Sequence, residues 1–284
     1  MIMENLTSTP GRNRARAWSF LFAALCWSLS ARAGAAIQED VRRTYRVVVQ
    51  EEGGNWMDLS REISGVVRSE VHLYPSEWEG TPVVRYDKED TLRDGAGVSW
   101  TFILDAERLS LLRLEKRVTD RSGRAASEAW HDFREPAFDP AGDLCYMYTI
   151  PAWLTGKELR VGDRYDFNLL LSPDGTPIHM FAKVTGRETT TVPAGTFECF
   201  RVILEPDLKK ILGRWSWVSP IISPWVPDYD FWMDQAPPQF QVRFQGRFGP
   251  VGAAPLQAYE LLGTEPSTKP PQRPESGNKS KVKP

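Results

Sequence analysis

Three histidines and three cysteines are the first places to look for chemistry in this chain of 284 residues. His72, His131 and His179 are scattered, without the i, i+4 or short-gap spacing that lets two imidazoles share one metal ion. Each is expected on the polar face of a sheet, and no metal is expected. Cys199 stands in Gly-Thr-Phe-Glu-Cys, which lacks the local context of a cysteine nucleophile. The chain has no Gly-x-Ser-x-Gly elbow, no Walker-type loop and no dinucleotide fingerprint. Carboxylates are plentiful, yet no pair is placed for acid–base work. No catalytic residue and no cofactor is therefore expected.

The unusual asset is aromatic. Of the eleven tryptophans, Trp215, Trp217, Trp225 and Trp232 fall close together, and Trp215 to Pro227 (WSWVSPIISPWVP) carries no charge. This Trp- and Pro-rich insert has two readings. It plugs one end of the fold as core, or Trp215, Trp217, Ile221, Ile222 and Trp225 form a lid over an apolar cavity or a loop that dips into a bilayer surface. An uncharged aromatic loop exposed without such a role would invite aggregation.

The elements that must position these residues are strands. Tyr45, Val47 and Val49 alternate with Arg46, Val48 and Gln50, the period of a half-buried strand. Asp58 to Tyr74 brings one or two more strands, with Val67, Ser69, Val71 and Leu73 on one face. Thr81 to Tyr86 is a short strand ending in a charged turn, and Val98, Trp100, Phe102 and Leu104 alternate cleanly. Leu109 to Val118 pairs back, Ala126 to Phe133 is a further strand, and Arg134 to Leu154 reads as a loop or short helical crossover. Arg164 to Leu171, Ile178 to Val184 and Gln239 to Phe248 follow, and Gln257 to Leu262 closes the sheet. Roughly ten short strands with little helix predict one all-β, antiparallel barrel or sandwich with one wet face over 36–263. Residues 264–284, with almost no apolar side chain, read as a disordered Pro/Lys-rich tail.

The centre of this pattern is Gly186 to Leu204 (GRETTTVPAGTFECFRVIL). Thr189, Thr190, Thr191 and Val192 are stiff, β-branched residues suited to a pleated surface. Pro193 removes a ladder donor and Gly195 supplies a turn conformation, so Pro193 and Gly195 mark a hairpin bend. Val192-Pro193-Ala194-Gly195-Thr196-Phe197, with Cys199 and Val202, resembles the signature of a bacterial envelope family, domain of unknown function 3108. Leu159 to Leu171, Ile178 to Gly186 and Phe231-Trp232-Met233-Asp234 are similar to its flanking strands, and the likeness runs from about Tyr146 to Gly263. The insert from Pro206 to Tyr229 departs from it. The resemblance implies an open, half-closed β-barrel related to periplasmic lipoprotein carriers, and it brings no catalytic residues with it.

Residues 1–33 read as a signal peptide. Arg12, Arg14 and Arg16 precede the apolar Ala17 to Leu29, and Ala31-Arg32-Ala33 or Ala33-Gly34-Ala35 offers a cleavage site. Leu25 before Cys26 argues against lipid attachment. The leader's four arginines against Glu4 give it a net +3, so its removal takes the formal charge from −2 to −5. Nothing in that balance suggests nucleic acid, whose binding needs a concentrated basic face, and no nucleic-acid partner is expected. A periplasmic destination leaves Cys145 and Cys199 in an oxidising compartment, either as a disulfide expected between neighbouring segments of one sheet or as two buried thiols.

The function expected is periplasmic binding or carriage of an apolar or amphipathic, lipid-like ligand without catalysis. The alternative is an envelope scaffold that docks a protein partner or a membrane surface through its sheet edges and basic tail. A cofactor-free enzyme is the lesser reading, because an enzyme of violacein biosynthesis is known on a similar fold.

Overall fold

The computed structural model describes residues 40–51, 65–134, 142–213, 229–247 and 255–266. The proposed signal peptide, most of the insert with Trp215, Trp217, Ile221, Ile222 and Trp225, and nearly all of the tail lie outside the described residues. Within them, one sheet contains thirteen strands. They are β1 (Val41–Glu51), β2 (Val66–Trp78), β3 (Thr81–Leu92), β4 (Gly97–Asp105), β5 (Leu111–Thr119), β6 (Ala125–Asp132) and β7 (Asp143–Tyr146), followed by β8 (Arg164–Leu170), β9 (Ile178–Val192), β10 (Gly195–Pro206), β11 (Tyr229–Asp234), β12 (Gln241–Arg247) and β13 (Leu256–Pro266).

The order across the sheet is β6-β5-β4-β3-β2-β1-β13-β12-β11-β10-β9-β8-β7. Two runs of neighbouring strands are thus joined at the middle, where the first strand pairs with the last: Tyr45 lies opposite Leu261 and Val47 opposite Tyr259. The sheet is not closed by a ladder between β6 and β7 among the described residues. It curls until its far edge meets the β4–β5 turn, where the Leu144 N–H donates to Ser110 Oγ at 2.9 Å and Arg108 pairs with Asp143 at 2.7 Å. Side chains from nearly every strand merge in one apolar cluster on the inner face.

Three differences from the strand pattern have local causes. Thirteen strands replace about ten, and one of the additions, β7, is a four-residue strand parallel to β8, too short to show a period. The strand starting at Thr81 does not stop at Tyr86: it runs to Leu92 and carries Lys88 and Asp90 inward on the parity of Val84 and Tyr86. Val67 does not share the face of Ser69, because a bulge between Val66 and Arg68 inserts one residue and turns it outward, 37% exposed.

The hairpin around Pro193 pairs β9 with β10, Val192 opposite Gly195. Its tip is tied to the other wall, where the Ala194 N–H donates to the Leu261 carbonyl at 3.0 Å. Gly195 has φ of +137°, and a Cβ there would meet only the Phe197 ring at 3.8 Å. Backbone conformation, and not space, therefore restricts this position. Gly195→Val is expected to destabilise by more than about 1 kcal/mol, measured by thermal melting against the parent; an unchanged midpoint would show that the turn tolerates a side chain.

The segment after β7 enters the sheet's concave side. A 3-10 turn, Met147–Thr149, leads into the short helix α1 (Ile150–Thr155), with Pro151 in its first turn where no intrahelical N–H is lost. Ile150, Trp153 and Leu154 are fully buried. This segment falls at the end of the interval expected as a loop or short helical crossover, Arg134 to Leu154, which also holds the strand β7 and, at 135–141, residues outside those described; it works as a plug.

Candidate functional site

The plug does not fill the concave side. Between it and β1, β2, β3 and β11–β13 lies a half-open pocket of about 590 Å³ counted out through its mouth, with about 50 Å³ of room for water-sized groups. Most of its wall is apolar or aromatic: Val71, Leu73, Met147, Phe231, Phe240 and Phe244. The polar groups converge from β1, β2 and β3, and strand register places them. Arg43, Val71 and Lys88 form one cross-strand row, and Tyr45, Ser69 and Asp90 form the next.

Lys88 and Asp90 make an ion pair inside the fold, with side chains only 4% and 3% exposed. Both carboxylate oxygens accept from the ammonium. The same ammonium lies 4.3 Å from the Tyr148 ring centre and 5.5 Å from that of Tyr259, so ring quadrupoles add to its stabilisation. Burial pushes the Lys88 pKa down, and the Asp90 charge opposes that. Arg43 is 7% exposed and its guanidinium lies 4.6 Å over the Phe240 ring.

The phenols around this pair are held neutral. Burial raises Tyr45 to about 12, tempered by Arg43, and the Tyr45 hydroxyl donates to the Gln241 carbonyl at 2.9 Å. Burial pushes Tyr86 and Tyr259 well up too, with Asp90 adding to each. They can donate hydrogen bonds but cannot act as bases near neutral pH. Ser69 is fully buried, and its hydroxyl has no hydrogen-bond partner. The arrangement can hold a polar group against charge while an apolar body lies along aromatic rings.

The residues singled out from sequence lie elsewhere. Pro193 and Gly195 form the hairpin tip. Cys145 and Cys199 are not bridged: both are free and buried. Neighbouring strands do not make neighbouring residues here. Cys145 pairs with Leu169 on β8, Leu169 with Ile178 on β9, and Cys199 with Glu188, ten residues farther along β9. At about 3.3 Å per residue this exceeds the roughly 7 Å a disulfide allows. Burial raises the Cys199 thiol to about 11 and Cys145 well above the usual thiol range, so both are inert.

The histidines stay apart. His72 contacts Asp40, His131 lies 3.4 Å from Asp174, and His179 lies 3.4 Å from Asp207. Among the described residues no cluster of three potential metal ligands exists. Sequence reasoning missed Lys88, Asp90 and Arg43, although their parity with Tyr86 and Tyr45 was a usable signal.

Fold and pocket together define an unclosed, curled sheet, antiparallel except where β7 meets β8, with an aromatic lumen that contains a buried ion pair. No family model matches the chain, so the likeness of its hairpin to domain of unknown function 3108 stays a resemblance, and no curated protein matches either. Among solved structures, a beta-barrel-like protein of domain of unknown function 1849 from Brucella abortus aligns with a TM-score of 0.45 and 8% identity, over 82% of this chain and 99% of that one. A candidate lipoprotein from Parabacteroides distasonis aligns at 0.34 and 10%, over 80% and 96%. A candidate exported protein with a YmcC-like fold from Bacteroides fragilis aligns at 0.29 and 12%, over 81% and 97%.

Proposed function

We propose that this is an exported, periplasmic protein that binds or carries an apolar or amphipathic, lipid-like ligand in the lumen of its sheet, without catalysing a reaction. The observation that carries the reading is the half-open pocket, whose wall is mainly apolar and aromatic and whose polar groups gather on β1, β2 and β3. That division between an apolar body and a few convergent polar groups is typical of small-molecule sites. The three-part leader and the resemblance to domain of unknown function 3108 support an envelope location. Native mass spectrometry of protein purified from its own periplasm tests the reading, and a retained lipid-like mass is the expected result.

One observation favours a second reading, an envelope scaffold. The edge strand β6 is exposed from Ala125 through Trp130, and Trp130 is 62% exposed. An open edge of this kind can accept a strand from a partner. Co-purification of a stoichiometric protein with no ligand mass would favour the scaffold and overturn the carrier.

A further inference from the structure

We propose that the protein self-associates edge to edge, β6 of one molecule pairing antiparallel with β6 of a second copy about a two-fold axis at Ala129. The inference does not rest on the carrier reading, since no residue of β6 lines the pocket; it gives the open edge one occupant. Among the described residues β6 is an edge of the sheet, and Ala125 through Trp130 are exposed. Natural edge strands are commonly protected by lysine or proline, and β6 (AASEAWHD) has neither. It carries instead Trp130, 62% exposed, with the Arg113 guanidinium 4.8 Å from its ring centre. An exposed tryptophan held by a cation and flanked by small residues is the kind of anchor that dominates protein interfaces.

The ladder to β5 fixes which backbone groups of β6 are open. The Phe133 N–H donates to the Leu112 carbonyl at 2.9 Å, and Leu114 lies opposite His131 and Lys116 opposite Ala129. By the alternation of an antiparallel pair, Ala129 and His131 turn their N–H and C=O toward β5. Glu128, Trp130 and Asp132 turn theirs outward. Outward groups must meet outward groups, so the registers of greatest overlap centre on Glu128, Ala129 or Trp130. Centring on Glu128 sets that carboxylate against itself, and centring on Trp130 sets Glu128 against Asp132 twice; both are unfavourable. Centring on Ala129 sets Glu128 against Trp130 in both directions and opposes no like charges within the strand. It also places the small Ala129 against itself in a non-hydrogen-bonded pair, where strands approach most closely. Charge and size select one register of the three.

The test is sedimentation of the purified protein over a concentration series. One strand edge is at the small end of specific interfaces, so a dimer that dissociates in roughly the micromolar range is expected. Glu128→Pro removes an outward N–H and no bond to β5, so the melting midpoint should hold while the dimer weakens by at least about tenfold. Trp130→Glu, which faces Glu128 of the second copy, should do the same. Ala129→Cys should form an intermolecular disulfide on mild oxidation, because paired Cα atoms at that position lie about 4.5 Å apart. Cys145 and Cys199 are buried and do not compete. A monomer at every concentration would overturn the inference, as would a dimer that keeps its strength in both Glu128→Pro and Trp130→Glu. Cross-linking by Glu128→Cys or Trp130→Cys, but not by Ala129→Cys, would overturn the two-fold at Ala129. A foreign protein held at this edge and released by Glu128→Pro would overturn the second copy as its occupant. None of these outcomes alters the ligand mass that tests the carrier.

Discussion

Asp90→Leu should destabilise the protein by about 3–5 kcal/mol, because it leaves the Lys88 ammonium buried without its carboxylate. For a domain of this size that is a fall of roughly 6–20 °C in Tm. The rings of Tyr148 and Tyr259 remain beside the ammonium, but they were a supplement to Asp90 and cannot replace it. The loss should depend on pH in a stated direction. Burial already lowers the Lys88 pKa in the folded protein, and without Asp90 it falls further. The unfolded chain then binds a proton that the folded one does not, so stability of the variant rises with pH up to the ordinary lysine value of about 10.4.

The double variant Lys88→Met/Asp90→Leu removes both charges and keeps apolar volume. It should recover most of the loss and could exceed the parent, since a buried pair costs desolvation of both partners. Thermal melts of the two singles and the double, taken at several pH values, complete the cycle. A single variant that melts with the parent would mean that water reaches the pair and solvates the stranded ammonium.

Trp153→Ala is the second large effect, expected at about 3–5 kcal/mol from the cavity it opens. The ring is fully buried on α1, 4.9 Å from the centre of Phe167 and edge-on to Tyr165. Its indole N–H donates to Asp143 Oδ2 at 2.8 Å. Burial raises the Asp143 pKa, but the Trp153 hydrogen bond, Lys157 and Arg108 outweigh it and hold the carboxyl below its usual value. A depressed carboxylate stabilises the fold above its unfolded pKa, and that contribution is lost as pH falls through the folded pKa.

Trp153→Phe separates the two roles. It keeps the six-membered ring and removes the donor with the rest of the indole, so it should cost less than Trp153→Ala, about 1–3 kcal/mol, and shift acid unfolding to higher pH. Denaturant titrations at neutral and acidic pH read both effects. If Trp153→Ala left the denaturation midpoint in place, α1 would not be packed in the concave side of the sheet.

The sequence by itself determined that the chain is a β protein with antiparallel neighbours. Period-two alternation such as Val98, Trp100, Phe102 and Leu104 survives in any packing, because successive side chains on a strand must point to opposite faces. It also determined the hairpin, since Pro193 cannot donate to a ladder and Gly195 accepts a φ that costs other residues. Tertiary structure decided what lay across strands. Pairing β1 with β13 is a contact between the ends of the described chain, and no local pattern encodes it. Register then put Ser69 beside Tyr45 and Asp90, and it kept Cys145 and Cys199 apart on strands of the same sheet. Lys88 and Asp90 look like a solvated turn in the sequence, because charge normally marks a surface. Only a partner two residues along the same strand, in a sheet that curls over it, makes their burial tolerable, and a curl is a property of the whole sheet rather than of any segment.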